Sequence, residues 1–140
     1  MCSSDLGANG TPDVFVAVLD RELRPRFRAQ VNPPDRWKTQ QFFPSAAIDR
    51  RTGTLWACWY DTMFDPNAHR AWFTCSASHD GRTWTPPERA AAAPTKVADL
   101  FVDLQRSTGL STAVVADRGV AHAFWINIGE VGRASCRERV

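Results

Sequence analysis

An all-β fold is what this chain predicts, and three features carry the prediction. Short runs of β-branched, aromatic and small apolar residues recur along it, each of strand length. Gly-, Pro- and Asp-containing breakers separate them, with no helical periodicity between 42 and 90. One strand–turn–strand pattern, over 45–60, returns near 111–126.

Composition sets the bounds. At 140 residues there is room for one modest domain, and the 44% hydrophobic and 23% charged fractions are those of an ordinary globular chain. No run approaches the roughly eighteen apolar residues of a membrane span. A net charge of +2 is too small to argue for nucleic acid or an anionic membrane, and the Arg residues are scattered rather than striped, so no nucleic acid is expected as partner. Six Trp and eight Phe against one Tyr favour tightly packed sheets over a carbohydrate-facing surface. Most of these rings sit inside the strand-like runs.

Val14 to Leu19 reads as a strand ended by Asp20, and Leu23 to Val31 as a second, with Pro25 placing it at an edge or bend. Asn32-Pro33-Pro34-Asp35 is a breaker, and Arg36 to Gln41 a polar connection. From Phe42 the pattern is regular. Ser45 to Asp49 is a strand, Arg50 to Gly53 a turn, and Thr54 to Tyr60 a second strand. Asp61 to Arg70, holding Asp65-Pro66-Asn67, is a hairpin loop. Ala71 to Ser78 makes a third strand and Thr85 to Ala90 a short fourth. Such a meander of four antiparallel strands has the size of one propeller blade. Lys96 to Arg106 leaves a helical turn or two open, on Val97, Leu100, Phe101 and Leu104. Ser111 to Ala116 and Val120 to Ile126 are again strands, about Asp117-Arg118-Gly119.

That last section is an internal repeat. Setting Gly53 on Gly119 puts Ala57 on Ala123, Trp59 on Trp125 and Asp61 on Asn127, a shift of 66 residues. It also lays Ser45-Ala46-Ala47 near Ser111-Thr112-Ala113. Repetition of a four-stranded unit predicts antiparallel blades of a β-propeller rather than a sandwich.

Between the third and fourth strands lies Ser78-His79-Asp80-Gly81-Arg82-Thr83-Trp84. Asp accepts hydrogen bonds from the turn's own amides, Gly supplies φ > 0, and Trp fills the space between strands. The stretch resembles the Asp box of sialidases and related β-propellers, one residue shorter, with Asp80 and Gly81 adjacent. From about Trp37 to Ala90 the chain resembles secreted bacterial exo-α-sialidase-like propeller proteins. The resemblance rests on Gln41 to Ser45, Leu55 to Thr62 and Ala71 to Cys75, together with the Asp box. Gly119 to Trp125 is similar to the next blade of that group. The resemblance implies a six-bladed propeller, of which about two blades are present: one near-complete at about 42–90, with parts of its neighbours on each side. It also implies a secreted glycoside hydrolase acting on terminal sugars of glycans, with glycan or glycoconjugate as partner. The alternative is a non-catalytic Asp-box propeller that binds glycan or protein, because the box recurs on propellers that do no sialic-acid chemistry.

Blade topology sorts the residues. The first–second and third–fourth turns share one face. The second–third loop and the interblade linkers share the opposite one, where sialidase-like propellers hold their ligands. Ser78, Asp80, Gly81, Thr83 and Trp84 are therefore expected to be structural. The ligand side would carry Arg36, Asp61, Asp65, His69, Arg70, Asp99, Asp103 and Arg106, with Asp61, Asp65 and Arg70 as candidates to touch a ligand. A solvated loop face is the ordinary role for such charges. A sialidase needs several Arg to clamp a carboxylate, an acid, and a Tyr nucleophile. Its Phe/Tyr-Arg-Ile-Pro motif is absent, and Phe27-Arg28-Ala29-Gln30 is similar only by accident. Tyr60 is the sole Tyr, in a hydrophobic strand whose packing explains it. The catalytic set is incomplete in this chain. His79 and His122 have no partner at metal-ligand spacing, and no zinc, calcium, phosphate-loop or nucleophile-elbow motif appears, so no metal or cofactor is expected.

Folding the hairpin about Pro66-Asn67 sets Cys58 opposite Cys75. A disulfide fits this placement and a secreted propeller, and so do two buried thiols. The ends fit nothing between them. Residues 1–6 and 132–140 each resemble the conceptual translation of a common sequencing adapter. On that expectation the domain is 7–131, Cys2 and Cys136 leave the cysteine arithmetic, and the parent protein continues past both ends.

Overall fold

The computed structural model describes residues 2–7, 10–34, 39–100, 112–126 and 136–139, the last four and Ser4 by backbone alone. The described strands are β1 Cys2–Leu6, β2 Pro12–Leu19, β3 Pro25–Gln30, β4 Gln41–Ile48, β5 Leu55–Asp61, β6 Arg70–Ser78, β7 Glu88–Arg89, β8 Thr95–Lys96, β9 Ala113–Asp117, β10 Val120–Phe124 and β11 Cys136–Arg139. All their pairings are antiparallel. They form three sheets in chain order: β1-β2-β3, then β4-β5-β6-β7 with β8 also on β6, then β11-β10-β9.

The middle sheet is the meander that the sequence predicts, and its fourth position is split. β7 pairs only with Thr74 and Cys75, while β8 pairs with Arg70 and Ala71. Pro86 and Pro87 bring no amide N–H to a ladder, so the expected strand from Thr85 shrinks to two residues. Residues 97–100 are helical, and the rest of the stretch to Arg106 lies outside the described residues. Pro25 opens β3, an edge strand, where the register slips between Val18 and Leu19.

Strand β5 organises the core because side chains along a strand alternate between faces. Trp56, Cys58 and Tyr60 join Phe42, Phe73, Val114, Ala121, Ala123 and Trp125 on one side. Ala57 and Trp59 join Val14, Val16 and Val31 on the other. The middle sheet is thus buried on both faces, with a neighbouring sheet against each. Full burial of rings such as Trp59 and Tyr60 contributes roughly 1.5–3 kcal/mol apiece.

The repeat acquires a spatial meaning here. Trp59 packs back on β1–β3, the sheet that precedes its own. Trp125, its counterpart, packs back on the middle sheet, stacked on Phe73 with ring centroids 5.2 Å apart. Ala57 and Ala123 follow the same rule. The expected match of Ser45-Ala46-Ala47 with Ser111-Thr112-Ala113 is corrected by two residues: Ala57 pairs with Ala46, but Ala123 pairs with Val114. The β9–β10 hairpin turns on Arg118 and Gly119, both at positive φ, whereas the β4–β5 turn runs from Asp49 through Thr54.

The two terminal stretches that match nothing else in the sequence lie as edge strands, β1 and β11. Ladder pairing uses main-chain groups, so it does not require a particular sequence there.

Candidate functional site

Two ends of the middle sheet differ in chemistry. At one end the turns gather. The Asp49 carboxylate accepts from the amides of Arg51 and Thr52 and from the amide of Gly119 across the sheet gap. Arg51 reaches Asp117 at 3.4 Å, and Thr54 Oγ1 lies 3.4 Å from His79 Nδ1. The β4–β5, β6–β7 and β9–β10 turns therefore share this end.

The Asp-box turn belongs to it and is closed by its own side chains. Ser78 Oγ accepts the Gly81 amide at 2.8 Å. Asp80 Oδ1 accepts the amides of Arg82 and Thr83, each at 2.7 Å, and Asp80 Oδ2 accepts the Thr83 hydroxyl at 3.2 Å. Gly81 has φ +72, and a Cβ there would lie 3.3 Å from both Leu55 Cδ1 and Phe27 Cζ. The Arg82 guanidinium sits 3.8 Å over the Phe27 ring, tying the turn to β3. Trp84 packs against the Val14, Val16 and Trp59 cluster but is only half-buried. Trp84→Ala should therefore cost about 2 kcal/mol, below the ~3–5 kcal/mol of a fully buried ring. Denaturant titration checks this, and an unchanged midpoint would remove the turn's structural role.

These carboxylates titrate low because the folded chain surrounds them with donors. The Gly119 amide, chiefly, holds Asp49 below its usual 3.8, at about 2. The amides of Thr83 and Arg82 hold Asp80 at about 2. A depressed folded pKa stabilises above the unfolded value and is lost as pH falls through the folded one. Stability is expected to drop between about pH 4 and pH 2. Asp80→Asn keeps an acceptor oxygen and removes the titration, so its urea midpoint should vary less with pH across that window.

The opposite end carries the loop between β5 and β6. Asp61 is fully buried there. Its carboxylate accepts Trp59 Nε1–H at 2.8 Å, Gln41 Nε2–H at 3.1 Å and the Met63 amide at 2.8 Å. Those contacts make Asp61 the anchor of the loop's entry. The next turn docks on the linker: Gln40 N–H donates to Thr62 Oγ1 and Thr62 N–H to Gln40 O. Asp65 then organises the loop tip, accepting the amides of Asn67, His69 and Arg70. The Asn67 amide first, and those of Arg70 and His69 with it, lower the Asp65 pKa.

A cleft of about 520 Å³ opens beside this loop, lined by Thr39, Met63, Phe64, Asp65, Pro66 and Asn67, with Ala68. Phe64 meets Trp72 edge-on at 5.9 Å, and the Arg89 guanidinium stands 5.2 Å over Phe64. The loop itself was legible in the sequence. The Phe64–Trp72–Arg89 group was not, since Phe64, Trp72 and Arg89 come from the loop, β6 and β7.

The candidates separate on this geometry. Asp65 lines the cleft, Asp61 turns into the sheet, and Arg70 is exposed beside the loop. His69 is exposed and its carbonyl accepts the Val97 amide. Asp99 is half-buried in the helical stretch. Arg36, Asp103 and Arg106 lie outside the described residues, as does Asn127, the repeat counterpart of Asp61. Tyr60 is packed between Phe42, Phe43 and Phe73, and its hydroxyl bonds both the carbonyl and the amide of Ile126. Burial pushes its phenol up to about 12, so it remains a neutral hydroxyl at physiological pH. Among the described residues no three His, Cys, Asp or Glu side chains gather as a metal site. No helix of the described residues is long and apolar enough to cross a membrane.

Cys58 and Cys75 face each other across β5 and β6 and are joined as a disulfide. Comparison with protein-family models, curated proteins and solved structures finds no match to this chain.

Proposed function

We propose that the chain is part of a secreted, sialidase-like β-propeller of the Asp-box kind, six-bladed in the whole protein, that acts on the terminal sugars of glycans. The observation that carries this reading is the recurrence of one packing rule. Trp59 and its repeat counterpart Trp125 each pack back on the preceding sheet, which is how successive blades stack. The closed Asp-box turn supports the same reading. In this arrangement the turn end is the fastened side, and the end with the Asp61–Arg70 loop and its cleft is the glycan side. The Cys58–Cys75 disulfide suits an oxidising compartment. This section supplies scaffold and glycan contacts, and the whole protein supplies the catalytic set.

A second reading, a propeller that binds glycan or protein without turning it over, draws on the site's chemistry. Tyr60 is a buried neutral phenol, Asp61 is spent on the sheet, and Asp65 receives three amides. Hydrolysis of a fluorogenic sialoside by the complete parent protein tests the first reading. No turnover, with sialyl-oligosaccharide binding that Asn67→Ala and Phe64→Ala weaken, would establish the second in its place. Neither turnover nor binding would overturn both.

A further inference from the structure

The β5–β6 loop is built as a fixed rim. Asp61 holds the Met63 amide at its entry, and Asp65 holds the amides of Asn67, His69 and Arg70 at its tip. Ala68 takes φ 54 there, a left-handed conformation that a side chain disfavours. Strain of this kind persists where the surroundings over-determine it, and it gathers at ligand clamps. The cleft of about 520 Å³ that this rim borders lies within the roughly 300–1,000 Å³ of small-ligand sites.

The lining sorts ligands by charge. Met63, Phe64 and Pro66 supply apolar wall, and Asp65 and Asn67 supply polar groups. A carboxylate has about four acceptor sites, and Asp65 gives three to amides, so one remains for a ligand hydroxyl. The same amides lower its pKa, so it stays charged at physiological pH. The exposed Asn67 side-chain amide offers both donors and an acceptor. Among the described residues the lining holds this one carboxylate and no Lys or Arg. The Arg89 guanidinium stands over the Phe64 and Trp72 rings, 5.2 Å and 5.8 Å from their centroids, outside the lining.

Such a lining matches an uncharged pyranose, which has apolar C–H faces and a rim of hydroxyls. A carboxylated sugar needs an Arg or Lys to meet its charge, and here it would meet a second carboxylate. We propose that the cleft is a subsite for an uncharged hexose unit of a glycan and discriminates against carboxylated sugars, an assignment that rests on the glycan reading above. The carboxylate of a sialic acid is then held by another part of the whole protein, while this loop holds a neutral unit of the same glycan.

Methionine supplies the probe. The chain has two, Met1 and Met63, and Met63 lines the cleft with 39% of its surface exposed. In the full chain carrying carbon-13 methionine methyls, the resonance lost in Met63→Leu reports on the cleft. Lactose, the neutral probe, should move it with half-saturation at roughly 1–10 mM. N-acetylneuraminic acid, the carboxylated probe, should bind roughly tenfold more weakly. Raising salt from about 0.02 M to about 0.5 M should narrow that ratio, because screening weakens the repulsion. Asp65→Asn, which keeps an acceptor oxygen and removes the charge, should narrow it too. Asn67→Ala, at an exposed position, should weaken lactose about fivefold. N-acetylneuraminic acid binding as well as lactose would overturn the assignment and leave the glycan reading standing. So would a ratio that neither salt nor Asp65→Asn changes. A Met63 resonance that neither sugar moves would also overturn it, and sialoside hydrolysis by the parent protein then decides the glycan reading separately.

Discussion

Trp59→Ala is expected to be the most damaging single change in the molecule, at about 4 kcal/mol. The ring is fully buried between the middle sheet and β1–β3. Its loss removes the transfer energy of a large aromatic and leaves a void that strands on both sides are too constrained to fill. A second effect compounds the first. Asp61, itself fully buried, loses the Nε1–H donor at 2.8 Å. Trp59→Phe separates the two, because it retains most of the ring and deletes the donor. That variant should cost about 2 kcal/mol, within the range for taking a donor away from a buried acceptor. Urea titrations of both variants read the difference. A Trp59→Phe midpoint equal to that of the wild type would mean that the Trp59–Asp61 bond contributes nothing beyond packing.

Removing the disulfide comes next. Cys58 and Cys75 close a loop with a sequence separation of 17, for which loop-closure entropy gives about 3 kcal/mol. The Cys58→Ala/Cys75→Ala double variant should lose that amount. The two sulfurs lie in the aromatic core beside Tyr60 and Phe73, so the small cavities left behind add to the loss rather than offset it. Thiol titration of the denatured, non-reduced protein gives an independent reading. In a Cys2→Ser/Cys136→Ser background no thiol should react. Two reacting thiols would remove the bridge and the stability attributed to it.

The strands of the middle sheet were legible because their residues alternate or cluster in the period that a pleated, buried strand requires. Leu55 to Tyr60 is apolar on both faces, and a strand of that kind has to sit between two sheets. The Asp-box turn was legible too, since Ser78, Asp80 and Gly81 each do a local job that needs no distant partner. Cys58 opposite Cys75 followed from symmetry about Pro66-Asn67, but residue spacing alone left bridge and thiols equally open.

Other features depend on residues brought from far apart. Asp49 reads in sequence as the end of a strand, yet its carboxylate holds the amide of Gly119, seventy positions away. Asp61 reads as a loop charge and is buried, because Trp59 and Gln41 supply donors that only the folded sheet aligns. The two-residue slip in the repeat comes from the length of the β4–β5 turn, which a fixed shift cannot register.

The sequence by itself determined an antiparallel all-β chain, its central meander and the turn that closes it, because each rests on neighbours within a few residues. Only the tertiary structure decided which faces of the meander are covered, that Tyr60 is a buried link to Ile126, and that Asp65 rather than Asp61 borders the cleft. Those outcomes depend on where the sheets meet, and no local pattern encodes a contact between residues that the fold alone brings together.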